Sequence, residues 1–264
     1  MESRLPSPDV QFGPGAMVEI PFASPGAFPA TRASLVRAAG SADGETRRQA
    51  FGALAEGYWR PVYKYLRWHW HADPAEAEDL TQGFFARAYE KRFFDRFDPG
   101  RARFRTFLRT CLDGYVANER QAATRLKRGG GAALLSLDVE GAERELAGPA
   151  LASADDVEAW FHREWVRTLF TRAVAALEAR CREQGRTAAF AVFRRYDLEG
   201  EDGDRPTYEA LGRELGLPVT QVTNHLSAMR RELRREVLDA LRALTASDEE
   251  FRAEARDLLG VAAP

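Results

Sequence analysis

Several residues in this chain have types and spacings that could do chemistry. His69, His71 and Asp73 alternate like a metal-ligand set. They stand beside Trp68 and Trp70 at the end of an amphipathic run, and alternate positions do not share a helix face. No metal is expected there. His162 and His225 have no triad partner visible in the sequence. Gly129-Gly130-Gly131 lacks the Lys-Ser/Thr that a phosphate-binding loop requires. Cys111 and Cys181 lie far apart, with no CxxC partner, and read as two reduced thiols of a cytoplasmic protein. No enzyme and no cofactor is expected.

What remains is the chemistry of charge and stacking. Residues 101–130 carry Arg101, Arg103, Arg105, Arg109, Arg120, Arg125, Lys127 and Arg128 against Asp113 and Glu119, a local charge of +6. Phe104, Phe107 and Tyr115 are interleaved with them. Such a face can hold phosphates while its rings stack on unpaired bases. The alternative is that the rings are core and the arginines a solvated helix face. Residues 73–98 have the opposite balance, −3. A second polar group is Thr220, Gln221, Thr223, Asn224 and His225. Gln and Asn suit adenine, and Thr suits thymine methyls or phosphates.

These residues need elements to position them. The chain has 264 residues, 45% hydrophobic and 30% charged, with a net charge of −2. That balance excludes a disulfide scaffold, a wholly disordered chain and a uniformly basic nucleic-acid coat. No stretch approaches the roughly 18 apolar residues of a membrane span, and Met1–Pro6, with no apolar run behind its charge, gives no expectation of a secretion signal. Residues 1–30, rich in Pro, Gly and Ala, read as a disordered N-terminal tail. Phe51, Leu54, Ala55, Tyr58, Val62, Tyr65, Leu66 and Trp70 give a helical stripe with a kink or restart at Pro61. Asp73-Pro74 opens a helix that runs to about Glu90. Another covers about 103–128. A Gly-rich linker is expected over 129–153. A helix of about 155–184 follows, with Val157, Phe161, Trp165, Leu169, Ala173 and Leu177 stepping by four. The expected class is all-α: two helical domains, 31–128 and 154–242, joined by that linker, with a tail at 243–264.

The stretch Thr207–Leu226 has the pattern of a helix-turn-helix. Thr207 caps, Tyr208, Leu211 and Leu215 form one apolar face, and Gly216 permits a left-handed turn. A second helix starts near Val219, with Val222 and Leu226 facing inward. Its first turns would carry Thr220, Gln221, Thr223, Asn224 and His225 to base edges in the major groove. Arg230, Arg231, Arg234 and Arg235 follow as phosphate grips.

Taken together, these features resemble a bacterial sigma-70-type RNA polymerase sigma factor of the small extracytoplasmic-function group. Ala77-Glu78-Asp79-Leu80-Thr81-Gln82-Gly83-Phe84-Phe85 is similar to the D-L-T-Q-x-F-F stretch of region 2. Phe104–Leu108 followed by Asn118-Glu119-Arg120 is similar to the part that reads the −10 element. Thr207–Leu233 is similar to region 4, which reads the −35 element. Thr31–Val36 is similar to the start of a sigma subgroup found in planctomycetes and their relatives. The resemblance implies core polymerase (its β′ and β subunits) and promoter DNA as partners, an anti-sigma protein or other regulator as a further one, and no membrane. It implies that Asp79 and Gln82 anchor polymerase, with Leu80 and Phe85 packing nearby. It implies that Arg103, Phe104, Arg105, Phe107, Asn118, Arg120, Arg125 and Lys127 hold the −10 strand. Two departures stand out. Gly83 replaces a commonly acidic residue, and Thr223, His225 and Ala228 stand where Lys or Arg is frequent. A helix-turn-helix regulator that never touches polymerase is the alternative.

Overall fold

Asp43 starts the first long helix: its carboxylate accepts a hydrogen bond from the Thr46 backbone N–H at 2.8 Å. This satisfies one of the donors that every helix start leaves open. The computed structural model describes residues 34–123, 137–146, 156–199 and 205–260. Among these residues every regular element is helical and there is no strand, as the periodicity predicts. Arg125 and Lys127 lie outside the described residues, as does the 1–30 tail.

The elements are α1 (Leu35–Ala39), α2 (Gly44–Trp68), α3 (Pro74–Glu90), a 3₁₀ turn (Phe93–Arg96), α4 (Phe104–Ala123), α5 (Val139–Leu146) and α6 (Val157–Glu183). After these come α7 (Thr187–Phe193), a π-helical stretch (Arg194–Leu198), α8 (Tyr208–Leu215), α9 (Val219–Leu244) and α10 (Asp248–Leu259). α2 begins seven residues before the apolar stripe that betrays it, because Asp43 supplies the cap. It also continues through Pro61. The proline gives up one backbone hydrogen bond, but Tyr58, Trp59, Val62 and Tyr63 around it are all buried and hold the helix together. α3 follows Asp73, which accepts from the Glu76 N–H at 2.9 Å, and has Pro74 at its first position.

The chain divides into two compact units, one from Leu35 to Glu164 and one from Trp165 onward. The core of the first is aromatic. Phe51 stacks on Phe94 at 5.1 Å, Phe94 meets Phe104 edge-on at 5.1 Å, and Phe104 meets Tyr58 at 5.6 Å. Such pairs add about 0.5–1.5 kcal/mol each beyond their burial. The start of α6 also belongs to this unit. Trp160 stacks on Trp68 at 4.6 Å, and Phe161 meets Tyr65 at 5.7 Å. Two large rings four and five residues into a helix cannot stay in water, so the first unit runs past 153.

The stretch 129–153, expected as linker, contains α5. An eight-residue helix is marginal alone, so its partners matter. Arg60 pairs with Asp138 and with Glu145 at 2.7 Å. Arg67 pairs with Glu143 at 2.6 Å, and Tyr63 donates to the same carboxylate at 2.7 Å. Lys64, fully buried, is shared between Glu145 and Glu164, the latter at 2.8 Å.

In the second unit Leu177, Cys181, Phe190, Phe193 and Met229 form one cluster, and Val192, Leu211, Val222 and Leu226 form another. The turn between α8 and α9 is three residues long. Gly216 takes a left-handed φ of 67°, and an added Cβ at Gly212 would lie 2.6 Å from the Leu217 carbonyl oxygen. The stretch 243–264, expected as a tail, holds the end of α9 and all of α10. Ser247 caps α10 at 3.1 Å, Phe251 and Ala255 are buried, and the Arg242 guanidinium lies 3.9 Å from the Phe251 ring centre.

Candidate functional site

The first surface is α3. Asp79 is exposed, and Gln82 is half-buried, donating to Glu78 at 3.2 Å. Leu80 and Phe85, which the resemblance sets beside the polymerase contact, are turned into the core. Leu80 is 9% and Phe85 2% exposed, because α3 packs this stripe against its own unit, with Phe85 edge-on to Phe51 at 6.4 Å. The face left for a partner is therefore polar: Asp79, Gln82 and Glu78. Gly83 lies beside it. A Cβ there would sit 2.2 Å from the Tyr115 hydroxyl oxygen, so the glycine accommodates a buried ring from α4. Burial holds the Tyr115 phenol protonated, well above the ordinary tyrosine range.

The second surface is α4, where three expected strand contacts are engaged within the unit. Phe104 is fully buried, ringed by Tyr58, Phe94, Phe97 and Phe107. A ring enclosed this way has no face left for a base. Arg105 is 6% exposed and turns toward Glu158 at 3.9 Å. Glu158 also receives Thr106 at 2.6 Å and Arg109 at 3.1 Å. Arg120 is tied to Glu76 at 3.0 Å and to the Trp70 carbonyl at 2.8 Å, with its guanidinium over the Trp70 ring at 5.4 Å. Arg103, Phe107 and Asn118 are half-buried. Phe107 pairs at 5.3 Å with Phe97, a half-buried ring in the preceding loop that sequence reading did not single out. The cluster Phe93-Phe94-Asp95-Arg96-Phe97 is the signal the sequence offers for it.

The third surface is in the second unit. Thr220, Gln221, Thr223 and Asn224 are exposed on the first turns of α9, with His225 half-buried behind them. Thr223 back-bonds to the Val219 carbonyl at 3.0 Å. Arg230 is held by Asp197, both contacts at 2.8 Å, which fastens α9 to the π-helical stretch. Arg231, Arg234 and Arg235 are exposed.

The residues that might have done other chemistry have structural occupations. His69 stacks on Tyr65 at 4.9 Å, Asp73 caps α3, and no cluster of metal-ligating side chains forms among the described residues. Burial pushes the Cys111 thiol up to about 12, which keeps it from being a nucleophile. Cys181 is buried against Met229 at 3.6 Å.

Residues 54–126 match the family model for sigma-70 region 2. The match supports a sigma-70 family sigma factor. It begins within α2 and spans α3 and α4, the elements that carry the first two surfaces. Region 2 implies binding to core RNA polymerase, and members of the sigma-70 family are not enzymes. No curated protein and no solved structure matches the chain. No helix among the described residues is long and apolar enough to cross a membrane.

Two outcomes follow for the first unit. Gly83→Ala should destabilise it by about 1–2 kcal/mol. Forcing Tyr115 aside costs 1–3 kcal/mol, against at most about 1 kcal/mol of helix propensity gained. Adding Tyr115→Phe should recover most of the loss in a thermal melt, because the clashing atom is the hydroxyl. The contact of α5 with α2 should respond to acid. The hydrogen bond from Arg67 holds the Glu143 carboxyl below the ordinary glutamate range, and the Gly141 backbone N–H does the same for Asp138. A lowered carboxylate stabilises the docked form above its undocked value and loses that effect as pH falls through the docked one. Amide signals of 138–146 followed by NMR should lose dispersion as pH falls below the ordinary carboxylate range, before those of α2.

Proposed function

We propose that this protein directs core RNA polymerase to promoters as a two-domain sigma factor of the extracytoplasmic-function type. The observation that carries the reading is the region 2 match together with an exposed acidic residue, Asp79, beside Gln82 on α3. Asp79, Gln82 and Glu78 offer carboxylates and an amide to a basic surface of polymerase, and salt screens such a contact within about 8 Å. On the −10 strand, Arg103 and Asn118 hold the backbone, and Phe97 with Phe107 supplies the stacking surface. Stacking on an aromatic ring is worth about 1–3 kcal/mol per base, close to what unstacking a base costs. Polymerase drives the opening and the sigma factor captures it. In the second unit, Thr220, Gln221, Thr223 and Asn224 read the −35 element from the start of α9, with Arg231, Arg234 and Arg235 on the phosphates. Support for this part is the short Gly216 turn and the exposed polar run that follows it.

The test is gel filtration of the purified chain with core polymerase and a promoter fragment. The expected result is co-elution with polymerase and a DNA complex that needs it. A chain that binds the fragment alone and never co-elutes with polymerase would be a free-standing regulator, and the proposal would fall.

A further inference from the structure

The contact between α5 and α2 is unusual for two helices of one unit. Around the buried Gly141 and Ala142, carboxylates are set on cations and a phenol. On α2 the recipients are Arg60, Tyr63, Lys64 and Arg67, spaced i, i+3, i+4 and i+7. They form one stripe about 10 Å long at 1.5 Å per residue. The two arginines keep part of their side-chain surface in water, 19% and 26%. In the sequence α5 lies between Gly129-Gly130-Gly131 and Gly148-Pro149, outside the region 2 match.

We infer that α5 is an intrachain acidic strap that competes with single-stranded DNA for the Arg60–Lys64–Arg67 stripe of α2. The warrant is chemical. Guanidinium forks accept carboxylate and phosphate in the same geometry, so what Glu143 and Glu145 occupy is a phosphate-binding stripe. A DNA strand is favoured over an acidic polypeptide because it brings a phosphate at every residue and releases condensed counterions on binding. The strap presents only Asp138, Glu143 and Glu145. Lys64 keeps Glu164 when the strap leaves, so the stripe stays ordered in the open form. The inference rests on the nucleic-acid role proposed above and adds its regulation: the chain's own acidic helix lowers its affinity for a strand until another partner draws it off.

The experiment uses the full chain carrying Glu143→Gln and Glu145→Gln, which keep side-chain size and remove the charges. Fluorescence anisotropy with a labelled single-stranded oligonucleotide is read between about 50 and 200 mM salt. The expected result is three- to tenfold tighter binding, with a salt slope steeper by roughly 1.4, the value for two added single-strand phosphate contacts. A Glu183→Gln, Glu249→Gln chain makes the same charge change at two exposed sites and should show no such steepening. Adding Arg60→Ala and Arg67→Ala to the first pair should cancel the gain. Unchanged affinity and slope would overturn the strap, whether or not amide exchange over 138–146 shows that it has opened. So would an equal gain for polyglutamate. Co-elution of the same variant with core polymerase is measured alongside. If it persists while the DNA gain is absent, the strap falls and the sigma reading stands.

Discussion

Asp79→Arg is expected to lower affinity for core RNA polymerase by at least tenfold while leaving the fold and free DNA binding intact. Asp79 is exposed on α3, next in sequence to Glu78 and one turn before Gln82. Reversing its charge removes an attraction and adds a repulsion, and truncating one partner of a desolvated charge pair alone costs about 2–5 kcal/mol. Tenfold corresponds to about 1.4 kcal/mol, below that range, as suits a contact that salt screens. Because the side chain is exposed, the melt should move by less than about 0.5 kcal/mol. Equal loss of polymerase and DNA binding would place Asp79 in the fold instead. Leu80→Ala and Phe85→Ala should behave differently from Asp79→Arg: both side chains are buried, so they should weaken the domain itself by about 2–5 kcal/mol.

Lys64→Met should be the most damaging single substitution on α2. The ammonium is fully buried and bridges Glu145 to Glu164, and Glu164 is itself only 2% exposed. A methionine fills the space of the stem but leaves both carboxylates facing an apolar group. Removing one member of a buried ion pair costs about 3–5 kcal/mol, because the carboxylates lose the cation they share. For a domain of this size that corresponds to a fall of roughly 10 °C in melting temperature. Adding Glu164→Gln should recover much of the loss, as a neutral amide tolerates the site better. A melt within a degree or two of the unsubstituted chain would mean that Lys64 contributes little.

The helices were legible because their signals are local. Asp73-Pro74 marks a start with its own cap and first-turn residue, and α3 runs over the expected residues. Gly216 marks a stop by its left-handed φ. The turn between α8 and α9 could be placed for that reason. What the sequence hid is pairing at a distance. Phe104 reads in sequence either as core or as a ring among arginines, and the convergence of Tyr58, Phe94 and Phe97 around it decides for core. Arg105 and Arg109 read as a free basic face until Glu158, about 50 residues on, is brought against them. The acidic run 138–145 looks like linker because an eight-residue helix has too few periods to show a stripe, and its partners are charges on α2. Local patterns therefore located α3, α4 and α9, and overstated how much of their charge and aromatic surface is exposed.

The Tyr115 hydroxyl lodged over Gly83 also limits the routes by which this chain can change. An acidic side chain at position 83 would enlarge the polar face of α3, yet it has no room while the phenol is present. The two positions are thus linked in order. Position 115 must first lose its hydroxyl or its ring, and only then can position 83 gain a side chain. Among descendants of this sequence, a carboxylate at 83 should appear only together with a smaller residue at 115, and the reverse order should be rare.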